Sequence, residues 1–338
     1  LYKVANETAE NRSALFRNTA AKMGVSEAII EKDFWVCIVL DVLFHKSRFG
    51  PKLCFKGGTS LSKGYGLIQR FSEDIDLILD WTVLGYPKDE PLKTRSNSSQ
   101  DKFNKKINED TEAYLKNVFA PEICHLINDS VKDSFVFYIE EQSPQTVHLV
   151  YPHLFNDMYV AQEICLEIGT LGAWLPSCEK RVHPYVFDFY PHIFENGKTE
   201  IRMVEAKRTF WEKATILHRE AQRIDEKTGE MHGKVPPRYS RHYYDLYMMT
   251  MSSVKAAAFA DLNLLKSVAD FKSKFYHSPW ARYEDAIPGK IKLIPPQRII
   301  ETMSNDYDMM QAMIFGDKVA FKEIIAVLAE LEEELRHL

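Results

Sequence analysis

Residues 55–79, FKGGTSLSKGYGLIQRFSEDIDLIL, limit the folds open to this chain more than any other stretch. Ile75, Leu77 and Leu79 alternate with Asp74 and Asp76, a period of two that predicts a strand over 74–79 with one buried face and one carboxylate face. Two like charges at neighbouring positions of one face are tolerated where water screens them or beside a cation. Mg²⁺ (or Mn²⁺) suits the second case, because it binds through one or two carboxylates and keeps waters and substrate phosphates in its shell. Upstream, a strand over 53–56 runs into Gly57 and Gly58, where absent side chains let a phosphate approach backbone N–H groups. Thr59 and Ser60 then open a short helix over 59–70, loosened by Gly64 and Gly66, whose N-terminus favours anions. The segment is not a P-loop, since GxxxxGK[ST] is absent. On these residues alone, a chance Asp-x-Asp and an ordinary glycine turn both remain open.

The rest of the chain frames that segment. Apolar residues recur at helical spacing from Glu10 to about Phe44, broken at Gly24, which predicts two or three helices. A polar loop at 85–101 leads into a polar helix, and SFVFYIEE, TVHLVYP and AQEICLEIG read as two or three strands. From Thr209 the pattern is mostly helical, with a turn-rich gap at 226–241. With 338 residues, 45% hydrophobic, the chain can bury two modest cores, and a boundary is expected at 205/206: a sheet domain over 1–205 and a helical domain over 206–338. The fold class is therefore α/β (α+β), a mixed sheet with flanking helices followed by a helical domain. Five scattered cysteines without CxxC spacing read as thiols of a reducing, cytoplasmic compartment, and no membrane span or signal-peptide core is expected. Leu at position 1 suggests a start inside a longer chain. A net charge of −5 excludes a global basic field, so nucleic acid would have to be held by local patches.

GGTSLSKGYGLIQRFSEDIDLIL resembles the signature of the AbiEii/AbiGii-type nucleotidyltransferase toxins, a branch of the polymerase-beta-like superfamily. IEKDFWV at 30–36, RTFWEKATILH at 208–218, RHYYDLYMM at 241–249 and NDYDMMQAMIFGDKVAFKEII near the end are similar to that family as well. The resemblance implies Asp74 and Asp76 as metal ligands, Gly57, Gly58 and Ser60 as phosphate contacts, Lys213 as an active-site lysine and Asp245 as a distal acidic residue. It further implies an NTP substrate, an RNA acceptor such as the tRNA 3′ end, a toxin–antitoxin or antiphage setting and a cognate antitoxin.

The residues themselves add detail. Thr209 and Glu212 have capping-box spacing, which predicts Lys213 in the first turn of a helix, where a cation is disfavoured unless it meets an anion such as phosphate. Arg241 stands four residues before Asp245, so a helical ion pair would also account for that aspartate. Ile164, Leu166 and Ile168 leave Glu163, Cys165 and Glu167 on the opposite face; the resemblance to the superfamily implies a third carboxylate from a later strand, and Glu167 at the strand end is the candidate for it. Residues 198–241 carry eleven Lys or Arg against seven Asp or Glu, and Arg238, Tyr239 and Arg241 could grip an RNA backbone. The expected activity is NMP transfer from an NTP to a hydroxyl, with the helical domain closing over the nucleotide. Phosphoryl transfer to a protein and a catalytically silent nucleotide-binding module are the alternatives.

Overall fold

A computed structural model describes residues 1–158, 160–225 and 227–338. It divides into two compact units, Leu1–Gly66 with Phe71–Val204, and Leu67–Arg70 with Glu205–Leu338. The division thus differs from a single cut at 205/206, because four residues between the glycine segment and Asp74 belong with the helical unit.

The first unit is built on a mixed sheet of seven strands among the described residues: β1 (Leu53–Lys56), β2 (Ile75–Leu79), β3 (Val136–Tyr138), β4 (Thr146–Val150), β5 (Glu163–Gly169), β6 (Ser177–Val182) and β7 (Thr199–Val204). Their order is β3-β4-β5-β2-β1-β7-β6. β2 runs parallel to β5 and antiparallel to β1, and β1 is parallel to β7. The alternation in the sequence decides which face is buried: Ile75, Leu77, Leu79, Ile164, Leu166 and Ile168 join one core with Phe34, Trp35 and Ile38 of the helix Glu27–Asp41. That helix is apolar on almost every side and is correspondingly buried. The helix before it, Ala9–Met23, is capped by the Thr8 hydroxyl and ends at Gly24, whose φ of 67° is the left-handed conformation that glycine adopts at low cost. β6 and β7 were not expected. β6 is an edge strand with a half-exposed, charged sequence, so its apolar period is too weak to read.

The second unit is helical, with Ala206–Ala221, Arg241–Thr250, Leu262–Phe275, Gln297–Met310 and Phe321–Arg336 as its longer elements. Leu67–Arg70 is tied into it by an Arg70–Ile314 bridge and by the Phe315 N–H donating to the Gln69 carbonyl at 3.0 Å. No helix among the described residues is long and apolar enough to cross a membrane. All five cysteines are free thiols.

Candidate active site

β2 begins one residue after Asp74, and its pleat puts Asp74 and Asp76 on the face opposite the main core. In the parallel β2–β5 ladder Asp76 lies beside Glu167, which is exposed, while Lys56 of β1 faces Asp76 from the other side. The sheet therefore collects Asp74, Asp76 and Glu167 on one face. Gly57 opens the helix Gly57–Lys63 with φ +81°. A Cβ at Gly57 would lie 1.8 Å from Asp76 Oδ2, so the glycine is required twice, by its backbone conformation and by the carboxylate packed against it. The Asp76 carboxylate is thus packed directly against the glycine turn.

Thr59 and Ser60, expected to face phosphate, are buried and have internal partners. The Thr59 hydroxyl lies 2.6 Å from the Asp74 carbonyl and 3.0 Å from Ser72 Oγ, and the Ser60 hydroxyl donates to the Gly57 carbonyl at 2.9 Å. Thr59 so fixes the backbone that delivers Asp74, and Ser60 fixes the glycine turn. Gly58 is buried in the same helix.

The helix Glu27–Asp41 adds three anchors from successive buried residues. Glu31 accepts from the backbone N–H groups of Leu154 and Phe155, and burial pushes its carboxyl up to about 7. Lys32 Nζ donates to Glu73 Oε2 at 2.6 Å and to the Ala161 carbonyl at 2.9 Å. Asp33 pairs with Lys63, at the end of the glycine helix, and accepts from the Tyr185 N–H at 2.7 Å. Glu73, next to Asp74, and Lys63, at the end of the glycine helix, are thus both tied to this one helix. None of these roles was assigned from the sequence, although three adjacent charges inside an otherwise apolar helix were a visible signal for them.

In the second unit Lys213, Asp245, Arg70 and His242 form a buried cluster. Asp245 takes a two-point contact from Arg70, Nε to Oδ1 and Nη2 to Oδ2, both at 2.8 Å, and Lys213 Nζ reaches Oδ2 at 2.8 Å. Lys213 Nζ also lies 3.0 Å from His242 Nδ1. Burial by itself would raise the Asp245 carboxyl pKa, but Arg70 and Lys213 hold it well below the usual carboxylate range. Burial lowers the pKa of Lys213, and burial together with the Lys213 charge lowers that of His242 far more, so a neutral His242 accepts from the ammonium. Two expectations are corrected here. Lys213 is not in a first turn: the helix begins at Ala206 after Glu205, so Lys213 is its eighth residue and Thr209 is no N-cap. Asp245 pairs with Arg70 and Lys213, brought in from distant sequence, which local spacing to Arg241 could not reveal.

Arg238 is exposed with φ 57°, and its N–H donates to Asp306 Oδ1 at 2.6 Å. Asp306 Oδ2 accepts from the Ser240 N–H at 2.9 Å, so one carboxylate shapes the turn before the helix that starts at Arg241. Arg241 is half-buried.

A carboxylate face beside a glycine turn is compatible with a cation and a phosphate, and comparison with known proteins bears on its use. The profile of a family described as nucleotidyl transferase AbiEii toxin, type IV TA system, matches residues 41–327. Among solved structures, MenT4, a nucleotidyltransferase toxin from Mycobacterium tuberculosis H37Rv, aligns at 16% identity over 95% of this chain and 97% of its own, with a TM-score of 0.49. A crystal structure assigned as a nucleotidyltransferase from H. pylori aligns at 13% identity over 93% and 96% of the two chains, with a TM-score of 0.44. No curated protein matches. On the strength of the family match, which spans most of its length, the chain belongs to the AbiEii nucleotidyltransferase toxins of type IV toxin–antitoxin systems.

Proposed function

We propose that this nucleotidyltransferase moves an NMP from an NTP onto an RNA hydroxyl, with the tRNA 3′ end as the acceptor, and that Asp74, Asp76 and Glu167 form its reacting centre. The observation that carries the reading is the contact between Gly57 and the Asp76 carboxylate on a sheet face that also bears Asp74 and Glu167. The donor set fits a hard divalent cation, since it consists of carboxylate oxygens on adjacent strands with no soft donor among these three residues. Asp74 and Asp76 would hold Mg²⁺ (or Mn²⁺), which when bound supplies charge neutralisation for the NTP phosphates. In the proposed reaction the acceptor oxygen forms a bond to the α-phosphorus, the bond from that phosphorus to the bridging oxygen breaks, and diphosphate leaves. Glu167 is exposed beside Asp76, a position suited to taking the hydroxyl proton. Gly57 and Gly58 offer backbone N–H groups to the phosphates. Lys213, whose ammonium contacts Asp245 and His242 within the second unit, would act on the NTP phosphates as the family's active-site lysine. Arg238 and Arg241 would contact the RNA backbone, and a separately encoded antitoxin in the same cytoplasm would restrain the activity.

Incubating the protein with total RNA and each NTP, labelled in turn at the α and γ positions, tests the reading. Label from the α position alone should enter RNA, and Asp76→Asn should abolish it. Label passing from the γ position to protein would instead establish phosphoryl transfer, and no transfer of either label would favour a silent binding module.

A further inference from the structure

We propose that His148, Glu163 and Cys165 form a second metal site, selective for Zn²⁺ over Mg²⁺, on the same sheet face. Among the described residues these three side chains present ligand atoms that all lie within 4.8 Å of one another. The pairwise distances are 2.9 Å from His148 Nδ1 to Glu163 Oε1, 3.6 Å from His148 Nδ1 to Cys165 Sγ, and 4.0 Å from Cys165 Sγ to Glu163 Oε1. A tetrahedral Zn²⁺ with ordinary bond lengths separates nitrogen and oxygen ligands by about 3.4 Å, and either from sulfur by about 3.6 Å. Every pair is therefore within about 0.5 Å of the spacing that a bound ion requires, a change that side-chain rotation alone supplies.

The site is built into the sheet. His148 of β4 lies directly opposite Cys165 of β5, and Glu163 is two residues along β5 on the same face. A second shell is in place as well. The Tyr138 hydroxyl donates to Glu163 Oε2 at 2.6 Å, leaving Oε1 to the cluster, and the Tyr138 ring stacks on His148 with centroids 4.5 Å apart. His148 is nine-tenths buried, and among the described residues its Nε2 has no hydrogen-bond partner, so the ring engages polar groups through Nδ1 only. A carboxylate accepts from that nitrogen, and a thiol lies within reach of both. Imidazole and thiolate donors favour Zn²⁺, whereas the all-oxygen set of Asp74 and Asp76 favours Mg²⁺, so the two sites differ in chemistry as well as position.

The register that pairs Ile75 with Leu166 places Asp74 alongside Cys165. An ion held at Cys165 would set positive charge next to Asp74, and micromolar Zn²⁺ is expected to slow nucleotidyl transfer at saturating Mg²⁺. That second consequence rests on the role proposed above for Asp74. Metal binding does not.

Titration of the reduced protein with Co²⁺ tests the site without using activity. One equivalent should give thiolate-to-cobalt charge-transfer absorption together with strong tetrahedral ligand-field bands, and Zn²⁺ should abolish both. Cys165→Ser should remove the charge-transfer band, and Glu163→Gln and His148→Gln should each weaken binding at least tenfold. Asp74→Asn and Cys178→Ser should leave the spectrum unchanged. Far-UV circular dichroism of each variant separates loss of the site from loss of the fold. The proposal is overturned if the wild-type protein shows no thiolate band, if the band survives in Cys165→Ser, or if Asp74→Asn loses it as well. Zn²⁺ that binds but leaves transfer unchanged would refute the inhibitory consequence alone.

Discussion

Replacing Gly57 by alanine separates two effects that glycines usually combine. At φ +81° an alanine is strained by about 1–2 kcal/mol, as any L side chain is in the left-handed region. The new methyl would also stand 1.8 Å from Asp76 Oδ2 and 2.5 Å from its Cγ. Carbon–oxygen contacts below 3.0 Å are essentially never seen, so the carboxylate or the turn must move by at least the difference, 3.0 − 1.8 = 1.2 Å. Misplacing a reacting group by about 1 Å is enough to lower a rate about 100-fold. Gly24→Ala is the matched control, since Gly24 has φ +67° and nothing within 4 Å of its would-be Cβ. Gly24→Ala should lose about 1–2 kcal/mol in urea melts from backbone strain alone, and Gly57→Ala at least as much. Only Gly57→Ala should lose transfer of α-labelled NMP, by about 100-fold or more. A Gly57→Ala enzyme within threefold of Gly24→Ala would refute the reasoning, because the Asp76 carboxylate would then have no need of its present position.

Asp74→Asn or Asp76→Asn should abolish transfer while the melting temperature holds or rises slightly, since each removes like-charge repulsion from one strand face; a double variant with near-normal activity would dismiss the assignment. Lys32→Met leaves the Glu73 carboxylate without its buried partner one residue from Asp74, so the Mg²⁺ concentration for half-maximal rate should change several-fold, and Lys32→Met/Glu73→Gln should restore it. Equal defects in the single and double variants would mean that the pair only supports the fold. Asp245→Asn breaks a buried two-cation pair and should destabilise the protein by about 3–5 kcal/mol near neutral pH. The Asp245 pKa is depressed in the folded state, so its contribution is present above the unfolded value near pH 4 and is lost as pH falls towards the folded value. Denaturant melts should show the gap between wild type and variant shrinking below about pH 4, and a gap of unchanged size there would contradict the pairing. Charge reversal at Arg238 and Arg241 should abolish RNA labelling but leave NTP affinity intact. Removing two phosphate contacts should flatten the salt dependence of RNA binding by about 1.4 in log–log slope, and an unchanged slope would place the RNA elsewhere.

Much of this molecule was legible in the linear chain. The alternation of Ile75, Leu77 and Leu79 with Asp74 and Asp76 determined a strand, its buried face and its carboxylate face, because side-chain direction in a strand follows from sequence position alone. The same rule read Ile164, Leu166 and Ile168 inward and Glu167 outward, as the structure has them. Gly24 marked the break between two helices, a local property of the backbone that the structure shows as a left-handed residue ending the helix Ala9–Met23. Tertiary structure decided which strands are neighbours, and so put Glu167 beside Asp76 and Cys165 opposite His148. It also decided that Thr59 turns inward to hold the aspartate segment and Ser60 to hold the glycine turn, and that Asp245 meets Arg70, 175 residues away, in preference to Arg241 four residues away. Those outcomes depend on long-range burial: a buried charge takes whichever partner the packed fold brings to it, and spacing along a helix offers only a weak, solvent-screened alternative.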